Sequence, residues 1–78
     1  MSILQPYDVA YFERNWPKSD IASAVPHADA YAEDYAAGLP ETVKLAVARL
    51  ALRYMVETDE GEKKCLDVGI RSLILMWK

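Results

Sequence analysis

The chain has 78 residues, of which 53% are hydrophobic and 27% are charged, and its formal net charge is −3. This length allows one domain with a small core, and this composition is typical of a globular protein. The acidic balance argues against ordinary nucleic-acid binding, which depends on Lys and Arg side chains that neutralise phosphates. Neither a membrane-spanning run nor a secretion signal is recognisable, so we expect a cytoplasmic protein with no membrane partner.

A short helix is predicted over residues 6–15. Val9, Phe12 and Trp16 recur at the spacing of one helical face, so this face should pack on the core. Pro17 restricts the residue before it to extended conformations, which ends the helix.

The second predicted helix covers residues 20–37. Asp20 is a suitable N-cap, and the small and aromatic residues that follow keep a helical phase straight through Pro26. We therefore expect one helix kinked at Pro26, although a fresh start at this proline stays open because proline also opens helices. Gly38 is a suitable residue to end it.

A long helix over residues 40–57 is the centre of the predicted fold. One face carries Val43, Ala46, Val47, Leu50, Ala51 and Tyr54, and the opposite face carries Leu45, Ala48, Leu52, Met55 and Val56. A helix that is apolar on two sides is normally buried on two sides. Two coverings of the second side stay open, namely a neighbouring subunit and the N-terminal segment of the same chain.

The last predicted helix covers residues 63–77 and follows a polar turn with Gly61 at its sharpest point. Its final turn is apolar all round, which indicates either contact with another molecule or a terminus tucked into the core. The whole pattern predicts an all-α fold, a small bundle of about four helices in a single domain over residues 1–78.

The sequence has few groups that support catalysis. His27 is the only histidine and falls on a polar helical face, and the single Cys65 excludes an internal disulfide. Four carboxylates cluster at the polar turn without the ligand spacing of a calcium loop: Glu57, Asp59, Glu60 and Glu62. We therefore expect no enzyme, no catalytic residue, no cofactor and no metal.

A helix-turn-helix DNA-binding protein is one alternative for a small helical chain. The turn near Gly38 would make residues 40–57 the recognition helix. Its outward positions are mainly apolar, and only Lys44, Arg49 and Arg53 supply positive charge. Reading base edges needs more polar groups than this helix offers.

The order of these features resembles the small head-tail connector (adaptor) proteins of tailed bacteriophages. The resemblance covers most of the chain and rests on three segments: Tyr35-Ala36-Ala37-Gly38, the helix opening Leu39-Pro40-Glu41-Thr42-Val43-Lys44 with Tyr54 near its end, and Gly69-Ile70-Arg71-Ser72-Leu73-Ile74. It implies a virion protein of the neck that assembles as a homo-oligomeric ring, commonly a dodecamer, beneath the portal protein. It also implies that the ring extends the DNA channel without sequence-specific binding and receives a downstream neck or tail protein.

Two sets of contact residues follow from this hypothesis. The subunit contact is predicted at Leu45, Leu52, Met55 and Val56. The contact with the portal or a neighbouring subunit is predicted at Ile74, Leu75, Met76, Trp77 and Lys78. An alternative function is a small regulatory module, an inhibitor or antitoxin-like factor, that binds another protein through the same apolar face.

Overall fold

Four α-helices make up the part of the chain that the computed structural model describes, residues 3–78. They are α1 (Pro6–Asn15), α2 (Ile21–Tyr35), α3 (Glu41–Val56) and α4 (Glu60–Trp77). The prediction of an all-α bundle of four helices is confirmed, and no strand occurs among the described residues. The first helix has the predicted bounds, and α2 ends two residues before the predicted boundary.

Local capping explains where α1 and α2 begin. The carboxylate of Asp8 accepts the backbone N–H of Gln5 at 3.0 Å, which satisfies a donor at the start of α1. Asp20 accepts the backbone N–H of Ser23 at 3.2 Å and its hydroxyl at 2.6 Å, as its predicted N-cap role requires. α2 then runs through Pro26 without a break, so the prediction of one helix is confirmed there.

The helix α4 begins earlier than predicted. It starts at Glu60 and not at residue 63, because Asp59 caps it by accepting the backbone N–H of Glu62 at 3.0 Å. Gly61 therefore lies in the first turn of α4, and its predicted place at the sharpest point of a loop is wrong. A polar residue run reads as a loop by composition, but one carboxylate at the N-cap position is sufficient to extend the helix into it.

Gly38 closes the connection between α2 and α3 in a left-handed conformation, with φ of 81°. Nothing lies within 4 Å of the position that a Cβ would take there. A larger residue at this position would therefore meet no steric clash, and it would lower the stability only because L-residues disfavour positive φ.

We expect opposite effects from two glycine substitutions. Gly38→Ala should lower the free energy of unfolding by about 1–2 kcal/mol, because alanine disfavours positive φ. Gly69→Ala, in the interior of α4 with open space around its Cβ position, should raise it by about 0.5–1 kcal/mol. Urea unfolding followed by circular dichroism measures both, and a loss of stability on Gly69→Ala would contradict the helical environment described.

The helix α3 lies between α2 and α4 and packs most extensively against them. Alanines of α2 face it without any exposed surface, which lets the two backbones approach closely. The hydrophobic core joins all four helices and the N-terminal segment: Ile3, Leu4, Phe12, Ile21, Ala28, Ala32, Ala36, Val43, Val47, Ala48, Ala51, Leu52, Ile70 and Ile74. The Cα atoms extend 35 × 31 × 15 Å, so the bundle is flat and its core is thin.

Candidate interaction surface

The N-terminal segment covers part of the core and is held there by hydrogen bonds. The carboxylate of Asp29 in α2 accepts the backbone N–H of Ile3 at 3.2 Å and that of Leu4 at 3.0 Å. Both side chains are buried in the same hydrophobic core as α3. The N-terminal segment is therefore part of the same core that buries Ala48 and Leu52 on the second side of α3.

An ion pair joins α1 to α3. The carboxylate of Asp8 is buried and accepts Nε of Arg49 at 2.7 Å. The same guanidinium donates to the hydroxyl of Tyr7 at 3.2 Å and lies 5.8 Å from the centre of its ring. Arg49, one of the three cations at the outward positions of α3, is therefore the partner of a buried carboxylate.

Arg53 of α3 contacts the C-terminal end of α1. The rings of Phe12 and Trp16 stack with centroids 5.1 Å apart, and the guanidinium of Arg53 lies 4.9 Å from the Trp16 ring. Arg53 also pairs with Glu57 at 2.5 Å. The backbone N–H of Asp59 and the Arg53 guanidinium together lower the pKa of the Glu57 carboxyl. Glu57 therefore fixes the turn between α3 and α4.

The four residues of the predicted subunit contact differ in how far they are buried. Leu52 has no exposed surface, so we correct its assignment: it is a core residue and cannot contact a neighbouring subunit in this conformation. Leu45 and Val56 are half-buried against the core, and Met55 is 40% exposed. Met55 is thus the most accessible of the four, and the second apolar side of α3 is largely covered within the chain.

The structure also divides the predicted contact at the end of α4. Ile74 is buried in the core, so we correct its assignment as a contact residue. Leu75, Met76 and Trp77 are exposed over 73%, 75% and 52% of their surfaces, and Lys78 is exposed as well. We call Leu75, Met76 and Trp77 the terminal patch. The burial of Ile74 anchors the C-terminal end of α4, which carries the terminal patch, in the core.

A groove between α2, α3 and α4 was not predicted from the sequence. Its inner cavity has a volume of about 290 Å³ and is lined by Tyr31, Ala51, Tyr54, Met55, Asp67 and Ile70. An adjoining outer cavity of about 570 Å³ is lined by Tyr31, Tyr35, Asp67, Arg71, Ile74, Leu75 and Lys78. We call the two together the tyrosine groove. Only the tertiary structure shows the space between α2 and α4 into which these side chains open.

The wall of the tyrosine groove combines aromatic rings with one carboxylate. The rings of Tyr31 and Tyr35 stack with centroids 4.4 Å apart. Burial, and then the negative charge of Asp67, raise the pKa of the Tyr31 hydroxyl, so it stays protonated at neutral pH. Asp67 pairs with Arg71 at 3.2 Å and retains oxygen lone pairs for a further donor.

The groups weighed for chemistry lie apart from this groove. His27 and Cys65 are exposed. Two carboxylates of the predicted acidic turn have structural partners, since Glu57 binds Arg53 and Asp59 caps α4. Within residues 3–78, no group of three or more His, Cys, Asp or Glu side chains could hold a metal ion.

The basic residues of α3 are each paired with a carboxylate. Lys44 lies 3.7 Å from Glu33, while Arg49 and Arg53 bind carboxylates as described above. α3 itself is enclosed by α2 and α4. A recognition helix needs a free face with unpaired polar groups, so this geometry does not favour insertion of α3 into a DNA groove.

Comparison with family models, with curated proteins and with solved structures finds no match to this chain. Among the described helices, none is long and apolar enough to cross a lipid bilayer. The tyrosine groove and the terminal patch are accessible apolar surfaces of the described chain.

Proposed function

We propose that this chain is a structural adaptor of a tailed-phage neck, which forms a ring beneath the portal and offers a docking platform to a neck or tail protein. The observation that carries the proposal is the terminal patch, a run of large apolar side chains exposed at the end of α4. Contiguous apolar surface on a small domain marks a site of contact with another macromolecule. The resemblance to head-tail connectors supplies the kind of contact.

The terminal patch is presented on a rigid element. Ile74 anchors the end of α4 in the core, and the backbone N–H of Lys78 donates to the carbonyls of Ile74 at 3.0 Å and Leu75 at 3.3 Å. The helical conformation therefore persists to the end of the patch. A contact surface that is ordered before binding loses less conformational entropy on association, which suits a permanent structural joint.

The net charge of −3 agrees with a channel through which DNA passes without adhering. On this proposal the walls of the ring repel phosphates and bind no particular base sequence. Genomic DNA is then a passing cargo, while the portal and the downstream protein are the stable partners.

The proposal is tested by measuring the mass of the purified chain by light scattering, alone and after incubation with tail-less capsids. We expect a closed ring or co-sedimentation with capsids. The double variant Leu75→Asp, Met76→Asp should lose both ring formation and capsid binding. Tyr11→Asp, at an exposed apolar position on α1, should lose neither. A wild-type chain that neither assembles nor binds capsids would overturn the proposal.

A regulatory protein-binding module is the second candidate, because an exposed apolar patch also suits an inhibitor of a soluble protein. Stoichiometry separates the two functions. A one-to-one complex with a soluble enzyme, whose activity changes on binding, favours the regulator, and closed rings or capsid binding favour the adaptor.

A further inference from the structure

We infer that the N-terminal segment and α1, residues 3–16, open as a unit from α3 while α2, α3 and α4 stay folded. We call residues 3–16 the N-terminal flap. Two arginines of α3 hold it closed, Arg49 at the first turn of α1 and Arg53 just beyond its end. The closed flap conceals apolar side chains of α3, so these two arginines control access to them. The flap does not depend on the proposed ring.

The N-terminal flap buries few apolar side chains of its own. Within α1 the buried residues are Asp8 and Phe12, and the segment before it adds Ile3 and Leu4. Both tyrosines of α1 are exposed. In α3, by contrast, five residues are buried. A segment with little buried apolar surface opens at a lower free energy than the core on which it packs.

Polar contacts hold the flap at three points. Asp8 accepts Nε of Arg49 at 2.7 Å, and the guanidinium of Arg53 lies 4.9 Å from the centre of the Trp16 ring. The carboxylate of Asp29 accepts two backbone N–H groups of the N-terminal segment. Water replaces such contacts when the flap opens, so the net contribution of each is small. Removing one of them should therefore shift the opening equilibrium without unfolding the chain.

The apolar side chains that the flap conceals form a stripe along α3: Leu45, Leu52 and Val56. Each of them lies three or four residues from Arg49 or Arg53, so the stripe and the two arginines share one helical face. Phe12 of the flap belongs to the same core as Leu52, which has no exposed surface. Opening of the flap therefore uncovers the stripe.

Amide hydrogen exchange of the full chain under native conditions measures the opening of the flap. The hydrogen-bonded amides of α1 should be at least about 10-fold less protected than the slowest amides of α3, a difference of about 1.4 kcal/mol in opening free energy. Equal protection in the two helices would overturn the inference, because the flap would then open only when the whole chain unfolds.

Two variants separate opening of the flap from unfolding of the whole chain. Arg49→Ala removes a residue whose two hydrogen-bond partners, Asp8 and Tyr7, lie on the flap, and it should accelerate exchange in α1 by at least about 5-fold. Ile70→Val removes one methyl group from the core between α2, α3 and α4. It should accelerate the slowest amides of α3 by about 2- to 10-fold and leave α1 unchanged. Equal acceleration of α1 and α3 by Ile70→Val would contradict separate opening.

Thiol labelling tests whether the open flap exposes the stripe. Leu52→Cys in a Cys65→Ser chain places the only thiol at the centre of the stripe. Its labelling rate should rise on Arg49→Ala by the same factor as exchange in α1, and it should not respond to Ile70→Val. Labelling that accelerates equally in both variants would show that the stripe becomes accessible only by global unfolding. If Leu52→Cys does not fold, amide exchange in the Arg49→Ala and Ile70→Val chains still decides whether the flap opens separately.

Discussion

Leu52→Ala is expected to lower the free energy of unfolding by about 2–5 kcal/mol, because Leu52 has no exposed surface and its truncation leaves a cavity in a thin core. The total stability expected for a chain of 78 residues is about 4–12 kcal/mol. The variant should therefore lose a large part of its stability, and Leu52→Asp should not fold. Urea unfolding monitored by circular dichroism measures the loss.

Met55→Ala is the matched control for Leu52→Ala. Both residues belong to the predicted subunit contact, but Met55 is 40% exposed, and its truncation should cost less than about 1 kcal/mol. The two variants thus separate a core role from a surface role on the same helix. A stable, monomeric Leu52→Ala chain from a wild type that forms rings would return Leu52 to the subunit contact.

Arg49→Ala should lower the free energy of unfolding by about 1–3 kcal/mol. Its guanidinium is the cation paired with the buried carboxylate of Asp8, and without it that carboxylate would keep its hydrogen bond from the backbone N–H of Gln5. Because the Arg49 side chain is itself half-exposed, water compensates part of the loss. Chemical denaturation at neutral pH measures the change.

Arg71→Ala is the control for this ion pair. Arg71 and Asp67 are four residues apart on α4 and both side chains are more than one third exposed, so removing this pair should lower the free energy of unfolding by less than about 0.5 kcal/mol. A double-mutant cycle with Asp8→Ala and Arg49→Ala should give a coupling energy of about 1 kcal/mol or more. Coupling near zero would show that α1 is held by apolar packing alone.

The positions of the helices could be predicted because they depend on nearby residues. Pro17 ends α1, Asp20 caps α2, and Gly38 separates α2 from α3 in the structure as the sequence predicts. The early start of α4 was missed although its cap, Asp59, is also local. The acidic run around it reads as a turn by composition, and no local rule says which of several carboxylates will cap.

The candidate contact residues could be predicted only in part. The terminal patch follows from an apolar run that no single helical face accommodates. All three of its residues are exposed, whereas Ile74, which precedes them, is buried. The tyrosine groove could not be predicted, because its inner cavity joins side chains from three helices. The volume of this cavity depends on the distance between α2 and α4. The periodicity of residues within one helix does not specify that distance.

The sequence by itself determined the four helices, their order and the two-sided apolar character of α3, because helix propensity, capping and periodicity act over a few residues. Only the tertiary structure decided how far the second apolar side of α3 is buried within the chain. Asp29 binds the backbone of Ile3 and Leu4 across 25 or more residues, and Asp8 reaches Arg49 across 41. Such contacts form because the folded bundle excludes water from buried polar and apolar groups at once, so their partners are fixed by proximity in space and not by spacing along the chain.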